Sequence, residues 1–83
     1  MYELIYSLDA QKQLKKLEHD IRKRIILTLE RCRIRPYSHV KKLVRSEYFR
    51  LRVGDYRIIL DILDNKLVIH VIQLGHRKNI YKK

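Results

Sequence analysis

Three arginines, Arg50, Arg52 and Arg57, fall within the short segment RLRVGDYR. A guanidinium group is planar, offers several N–H donors and keeps its positive charge at any physiological pH. Its paired donors match the oxygens of a phosphate group. Cations of this kind also stabilise the extra negative charge of a transition state at phosphorus. The arginines therefore predict a site for a phosphorylated ligand.

The C-terminal segment GHRKNIYKK, residues 75–83, adds further candidate groups. Histidine side chains exchange protons near neutral pH, which makes His76 a candidate for proton transfer. Tyr81 offers a hydroxyl and a ring that can stack on a base, beside the basic Arg77 and Lys78. A simpler interpretation stays open, in which the segment is a frayed basic chain end and Tyr81 only packs.

The chain of 83 residues has a formal net charge of +11. Solubility accounts for net charges of up to about 8 in a small domain. The excess therefore favours nucleic acid as the partner, ahead of an anionic membrane surface or an acidic protein. Residues 77–83 are the densest basic segment, with four basic residues and no acidic one.

The pattern of apolar residues predicts one α+β domain over residues 1–83. Residues 2–7 alternate as a strand does, and residues 8–34 show helical spacing interrupted near residues 18–20, which predicts an α-hairpin. Ser7 and Asp20 are the expected N-caps of the two helices. Pro36 ends the second helix. From residue 48 the period changes to two, which predicts a three-stranded antiparallel meander with the helices on one face.

Gly54 and Asp55 form a two-residue hairpin loop of type II′, with glycine at the first central position. This loop pairs Val53 with Tyr56 and Arg52 with Arg57. Residues that pair share a face, so the register gathers one apolar surface. Its members are Phe49, Leu51, Val53, Tyr56, Ile58, Leu60 and Ile62. The three arginines then lie on the other surface, where a solvated face mixing both charge signs is the alternative interpretation.

A second two-residue turn is expected at Asp64 and Asn65. It would add Leu67, Ile69 and Val71 to the apolar surface. The arginine surface would gain Val68, His70, Ile72 and Leu74. The apolar residues on that surface, Ile59 among them, form either an exposed patch that binds a partner or a layer packed under the C-terminal segment.

Other classes of function find no support in the sequence. Cys32, His39, His70 and His76 lack metal-ligand spacing, so no metal is expected. No glycine-rich nucleotide motif occurs, so no cofactor is expected. The lone Cys32 excludes an internal disulfide and favours a reducing cytoplasm. No apolar run is long enough for a membrane helix, and the N-terminus does not resemble a signal peptide.

The segments YFRLRVGDYRII and GHRKNIY resemble the RelE/ParE superfamily of type II toxins, and more narrowly its RelE branch of ribosome-dependent mRNA endonucleases. The resemblance extends over nearly the whole chain and includes LKKL at 14–17 and KKL at 41–43. It implies a RelE-like fold whose sheet cups mRNA in the ribosomal A site. The 2′-hydroxyl then attacks the adjacent phosphate and leaves a cyclic phosphate and a 5′-hydroxyl.

The resemblance also implies roles for particular residues. Arg57 matches the family's transition-state arginine, Arg77 the arginine near the leaving 5′-oxygen, and Tyr81 the tyrosine that stacks on or orients the nucleotide. Arg50 and Arg52 fall where well-studied members carry lysines, so they would act as fixed charges. The proton acceptor must then lie elsewhere, and His76 and Tyr81 are the local candidates. The expected RNA-binding residues are Arg50, Arg52, Lys41, Lys42, Arg45 and Lys78.

The expected partners are the ribosome, mRNA and an acidic antitoxin that covers the arginine surface, in a heterotetramer or larger assembly. Two alternatives stay open. One is a ParE-like inhibitor of DNA gyrase with the same fold and no cleavage of RNA. The other is a non-catalytic nucleic-acid-binding module, for which charge alone would suffice.

Overall fold

The computed structural model describes residues 1–76 of the chain. Within them lie two α-helices and one mixed five-stranded sheet of order β1-β5-β4-β3-β2, in which β1 and β5 are parallel and the other pairs antiparallel. The helices are α1 (Leu8–Lys15) and α2 (His19–Cys32), and the strands are β1 (Glu3–Tyr6), β2 (Lys41–Lys42), β3 (Phe49–Val53), β4 (Tyr56–Leu63) and β5 (Val68–His76). The predicted α+β order is confirmed. The two-residue strand β2 was not predicted, because it is too short to show an alternating pattern.

The N-terminal end of α1 forms as expected. The Ala10 backbone N–H donates to Ser7 Oγ over 3.0 Å, which is the bond of an N-cap. The expectation for Asp20 is wrong, because Glu18 occupies the N-cap of α2 and makes no capping bond through its side chain. Asp20 instead lies in the first turn, where its negative charge faces the positive end of the helix dipole.

The core lies between the two helices and one face of the sheet. Ala10 and Leu14 of α1 pack with Ile25, Leu29 and Cys32 of α2 against the apolar side chains of β3, β4 and β5. This confirms that both helices cover the same face. The opposite face, which the register leaves to the arginines, is called the open face below.

The β3–β4 hairpin has the predicted register, with Arg52 paired to Arg57 and Val53 to Tyr56. Gly54 has a φ of 58°, and Asp55 has no positive φ. A positive φ at the first central residue alone defines the type II′ loop, so the turn type is confirmed as well.

The β4–β5 turn differs from the expectation. Leu63 pairs with Val68, so four residues connect the strands, and Leu67 adopts the left-handed conformation within the turn. The predicted place of Leu67 on the apolar surface is therefore wrong, since it is half exposed. Ile69 and Val71 do enter the core as predicted.

A β-bulge then changes the face of the rest of β5. Leu60 pairs with Val71 but Ile59 pairs with Gln73, so Ile72 is an extra residue on β5. The extra residue reverses the alternation, and Leu74 pairs with Ile58 and becomes 1% exposed in the core. The prediction that Leu74 shares the arginine surface is wrong for this reason.

Neither of the helices in residues 1–76 has the length and the apolar composition needed to cross a bilayer.

Candidate functional site

The open face carries two neighbouring pairs of cations. Arg52 on β3 pairs with Arg57 on β4, and Lys41 on β2 pairs with Arg50 on β3. Because paired residues share a face and alternate residues of a strand return to it, these four cations lie on one surface. Like charges directly opposite each other weaken a sheet, by up to about 1 kcal/mol for each pair. The arrangement is therefore an electrostatic cost to the free protein.

The arginines of the open face lie at different depths. Arg52 is exposed and Arg50 is partly buried, whereas Arg57, on the central strand, is 9% exposed. The Nε and Nη1 atoms of Arg57 are shielded from solvent. The guanidinium of Arg57 thus forms the floor of the basic surface, and Arg52 and Lys41 form its exposed side.

The other end of the open face has the opposite charge. Asp61 pairs with His70, and Glu3 on β1 pairs with Val68. The cations lie level with Arg57 and Ile59 of β4. The carboxylates lie level with Asp61 and Leu63, the next two residues of β4 on the same face. The open face is therefore polarised along the strands, which places the strongest attraction for an anion at Arg57 and its neighbours.

Small and uncharged residues lie on the β5 side of the arginines. Gly75 pairs with Arg57, and Gln73 pairs with Ile59. Ile59 is 6% exposed but does not belong to the core cluster, which lies on the other side of the sheet. Of the apolar residues expected on this face, Ile59 and Val68 lie there. Ile72 is the extra residue of the bulge.

The two lysines of β2 lie on different faces. Lys41 joins the arginines, whereas Lys42 pairs with Phe49, and its Nζ lies 5.4 Å from the centre of the Phe49 ring. This cation–π contact fixes Lys42 at the edge of the core face. Arg45 is exposed in the connection between β2 and β3, with a φ of 59°. The structure thus brings only Lys41 of these three to the arginines.

His76 is not brought to Arg57. It pairs with Tyr56, and the two rings meet edge to face with their centroids 5.5 Å apart. Tyr56 packs against the core, so His76 lies on the side of the sheet that faces the helices. Arg77, Lys78 and Tyr81 lie outside the described residues.

Two side chains hold the strand beside the site: Gln13, which the sequence pattern did not single out, and Ser7, which was expected only as an N-cap. Gln13 Oε1 accepts a hydrogen bond from the Leu74 backbone N–H, and the Ser7 hydroxyl donates to the Ile72 carbonyl. These bonds hold β5 at the bulge residue Ile72 and at Leu74 just after it, beyond the residues of β5 that pair with β1. The sequence signal for Gln13 is its spacing. It lies three residues after Ala10 and four before Leu17, so it falls on the apolar side of the helical pattern although it is polar.

Within residues 1–76, no group of three His, Cys, Asp or Glu side chains is placed to hold a metal ion. What this part of the chain offers to a ligand is a sheet surface with fixed positive charge. A basic sheet face backed by two helices defines a small α+β protein suited to a polyanion.

Comparisons with known proteins narrow this class. Residues 4–81 match the family described as the ParE toxin of type II toxin–antitoxin systems, parDE. Toxin RelE3 of Methanocaldococcus jannaschii is 31% identical over 85 residues, covering 95% of this chain and 94% of the relative. The chain therefore belongs to the RelE/ParE superfamily of type II toxins, in its RelE-like branch.

Solved structures agree with this assignment. The toxin in the RelB–RelE antitoxin–toxin complex from Methanococcus jannaschii is 32% identical, with a TM-score of 0.72 and coverage of 93% of this chain and 94% of the other. The toxin–antitoxin complex RelBE2 of Mycobacterium tuberculosis gives a TM-score of 0.84 at 23% identity, covering 94% and 93% of the two chains. The predicted RelE-like fold is thereby confirmed.

Proposed function

We propose that this protein is a toxin that cleaves mRNA in the A site of the ribosome and so stops translation. The observation that carries the proposal is the direct pairing of Arg52 with Arg57 on the open face. A sheet gains nothing in stability from two guanidinium groups placed opposite each other. A phosphodiester between them turns the repulsion into two favourable interactions.

The reaction needs little from the protein beyond positioning and charge. The 2′-oxygen attacks the adjacent phosphorus, the bond to the 5′-oxygen breaks, and the products are a 2′,3′-cyclic phosphate and a 5′-hydroxyl. One proton leaves the 2′-hydroxyl and one reaches the 5′-oxygen. The five-coordinate transition state carries more negative charge than the substrate, and the fixed guanidinium of Arg57 stabilises that added charge.

The remaining roles follow the resemblance. Arg77 is assigned to the leaving 5′-oxygen and Tyr81 to orienting the nucleotide. Arg50, Arg52 and Lys41 hold the RNA backbone as fixed positive charges. The position of His76 beside Tyr56, on the other side of the sheet from Arg57, favours Tyr81 or the ribosome as the proton acceptor. Dependence on the ribosome accounts for a site that has few acid–base groups of its own.

An acidic antitoxin is the proposed protein partner. The solved relatives include complexes of RelE toxins with RelB antitoxins. On this chain, the open face offers cations at one end and the apolar Ile5 and Val68 at the other, with Ile5 45% exposed. An acidic segment with apolar residues would cover both and hide Arg57, in a heterotetramer or larger assembly in the cytoplasm.

The experiment is toeprinting of mRNA in a cell-free translation system. The wild-type protein should cut mRNA on programmed ribosomes, and Arg57→Gln, which keeps most of the side-chain length but loses the charge, should cut about 100-fold more slowly. Arg31→Gln is the matched control, because it removes the same charge from an exposed position in the last turn of α2. Equal rates for Arg57→Gln and Arg31→Gln would refute the assignment of Arg57.

Inhibition of DNA gyrase is the second candidate, and the match to the ParE toxin family favours it. A supercoiling assay with the same protein preparation separates the two. Intact mRNA on programmed ribosomes together with inhibited gyrase would select the ParE-like activity. If neither target responds, a non-catalytic nucleic-acid-binding module becomes the better interpretation.

A further inference from the structure

Gly75 occupies a strand position where nothing in the described structure requires a glycine. It lies within β5 and pairs with Arg57. Among the glycines, Gly54 has a positive φ and Gly75 does not, so any residue could adopt the backbone of Gly75. A Cβ atom built at Gly75 would meet no heavy atom of residues 1–76 within 4 Å.

Glycine is an unfavourable choice inside a strand, because it adds no side chain to the sheet and loses more conformational freedom than other residues. One known reason for such a glycine is that a ligand must approach the backbone closely. The neighbour of Gly75 on the open face is the 9% exposed Arg57, at the most basic part of that face.

We propose that Gly75 is a substrate-positioning residue, whose missing side chain gives the phosphodiester backbone of single-stranded RNA access to the flank of Arg57. This inference rests on the proposed function, because it takes RNA as the ligand. Cβ atoms of paired residues lie about 5 Å apart, so a side chain at position 75 would stand alongside the Arg57 side chain. Arg52 already occupies the other flank.

The register places Arg57 between two different neighbours on the open face. The side chain of the exposed Arg52 lies on one flank of Arg57, and on the other flank Gly75 contributes backbone alone. An RNA backbone that lies against Gly75 would bring its phosphate oxygens to this flank of Arg57. A methyl group at position 75 would narrow the space on this flank, and the branched side chain of valine would occupy it.

The test is RNA binding, measured independently of cleavage. A short 2′-fluoro RNA lacks the attacking hydroxyl and cannot be cut, and its binding to the wild-type protein is followed by NMR titration. Gly75→Ala should weaken binding measurably, and Gly75→Val should weaken it by about tenfold or more. Both variants should keep the melting temperature of the wild type or exceed it, because the strand gains a residue of higher β-propensity.

Gly54→Ala is the control, and it should behave in the opposite way. The φ of 58° at Gly54 makes alanine strained there, so this variant should melt earlier and still bind RNA at temperatures where it is folded. Unchanged RNA affinity in Gly75→Val would overturn the inference. So would failure of the wild-type protein to bind the RNA, or a fall in the melting temperature of Gly75→Ala to that of Gly54→Ala.

Failure of the inference and failure of the proposed function give different results. If Gly75→Val binds RNA poorly but the wild-type protein leaves mRNA intact on ribosomes, the role of Gly75 in RNA binding stands and the proposed endonuclease activity is refuted. If the wild-type protein and Gly75→Val cut mRNA equally fast, the endonuclease stands and the role of Gly75 is refuted.

Discussion

Gln13 Oε1 accepts a hydrogen bond from the backbone N–H of Leu74 over 2.7 Å, joining α1 to the last strand. This bond lies next to the bulge that buries Leu74 and places Gly75 beside Arg57. The placement of Gly75 beside Arg57 therefore depends on a side chain far from both in the sequence.

Replacing Gln13 by leucine should lower the free energy of unfolding by about 1–3 kcal/mol, because the N–H of the buried Leu74 would lose its acceptor. Gln13→Glu keeps an oxygen acceptor at the same position and should retain most of the stability. Urea unfolding measures both. Gln11→Leu is the control, since Gln11 bonds the Tyr6 carbonyl at an exposed position and should cost less than about 0.5 kcal/mol. Equal effects at positions 11 and 13 would contradict the assigned role of Gln13.

Asp64 should make stability depend on pH in the acid range. Its carboxylate accepts hydrogen bonds from the Tyr2 and Tyr37 hydroxyls, at 2.7 and 2.8 Å, and these two bonds lower the pKa of Asp64. The pKa of Asp64 is therefore lower in the folded protein than its value of 3.8 in the unfolded chain. The ionised carboxylate stabilises the fold fully above pH 3.8, and this stabilisation is lost as the pH falls through the pKa of the folded state. Urea unfolding at a series of pH values should therefore show wild type to be more stable than Asp64→Asn at pH 6, and the difference should vanish at the most acidic pH.

The tyrosines supply the control for Asp64. In a protein that carries Tyr2→Phe and Tyr37→Phe, both hydrogen-bond donors are gone. Adding Asp64→Asn to it should then change the fall in the free energy of unfolding at acid pH very little. If Asp64→Asn has the same effect in both backgrounds, the hydrogen bonds are not the cause of its pKa shift.

Leu67 should be a site where glycine stabilises the protein. Leu67 has φ and ψ angles of 52° and 47° and is 51% exposed, so it bears left-handed strain without much packing in return. Leu67→Gly removes the left-handed strain but also makes the unfolded chain more flexible, which opposes the gain. The net result should be a rise of about 0.5–1 kcal/mol in the free energy of unfolding. Leu27→Gly, on the exposed side of α2, should instead lower it by about 1 kcal/mol. A loss of stability in Leu67→Gly would show that its side chain packs more than its exposure suggests.

Cys32 should be inert in the folded protein. It is the only cysteine of the sequence, it is fully buried at the end of α2, and burial raises the pKa of its thiol to about 11. At pH 8 the native protein should react with a thiol reagent at least about 1,000-fold more slowly than the protein in 6 M guanidinium chloride, since reaction requires opening of the core. Fast reaction in native buffer would mean that the contact between α2 and the sheet opens readily.

Local rules were sufficient for much of the fold. The change of period from 3.6 to 2 located the helices and the hairpin, and the loop of Gly54 and Asp55 fixed the pairing of Arg52 with Arg57 without any structural information. Ser7 was recognisable as an N-cap because the capping bond is made within three residues. Each of these features depends on neighbours in the sequence.

The sequence by itself determined that three arginines share the surface of a sheet opposite two helices, because strand alternation and a two-residue turn allow only one register. Tertiary structure decided how deeply Arg57 is buried and what lies beside it. It also decided the parallel pairing of β1 with β5, the bulge at Ile72, and the placement of Leu74 in the core and His76 beside Tyr56. These outcomes depend on which side chains of α1 and β4 meet β5 in space, and spacing along the chain does not encode such contacts.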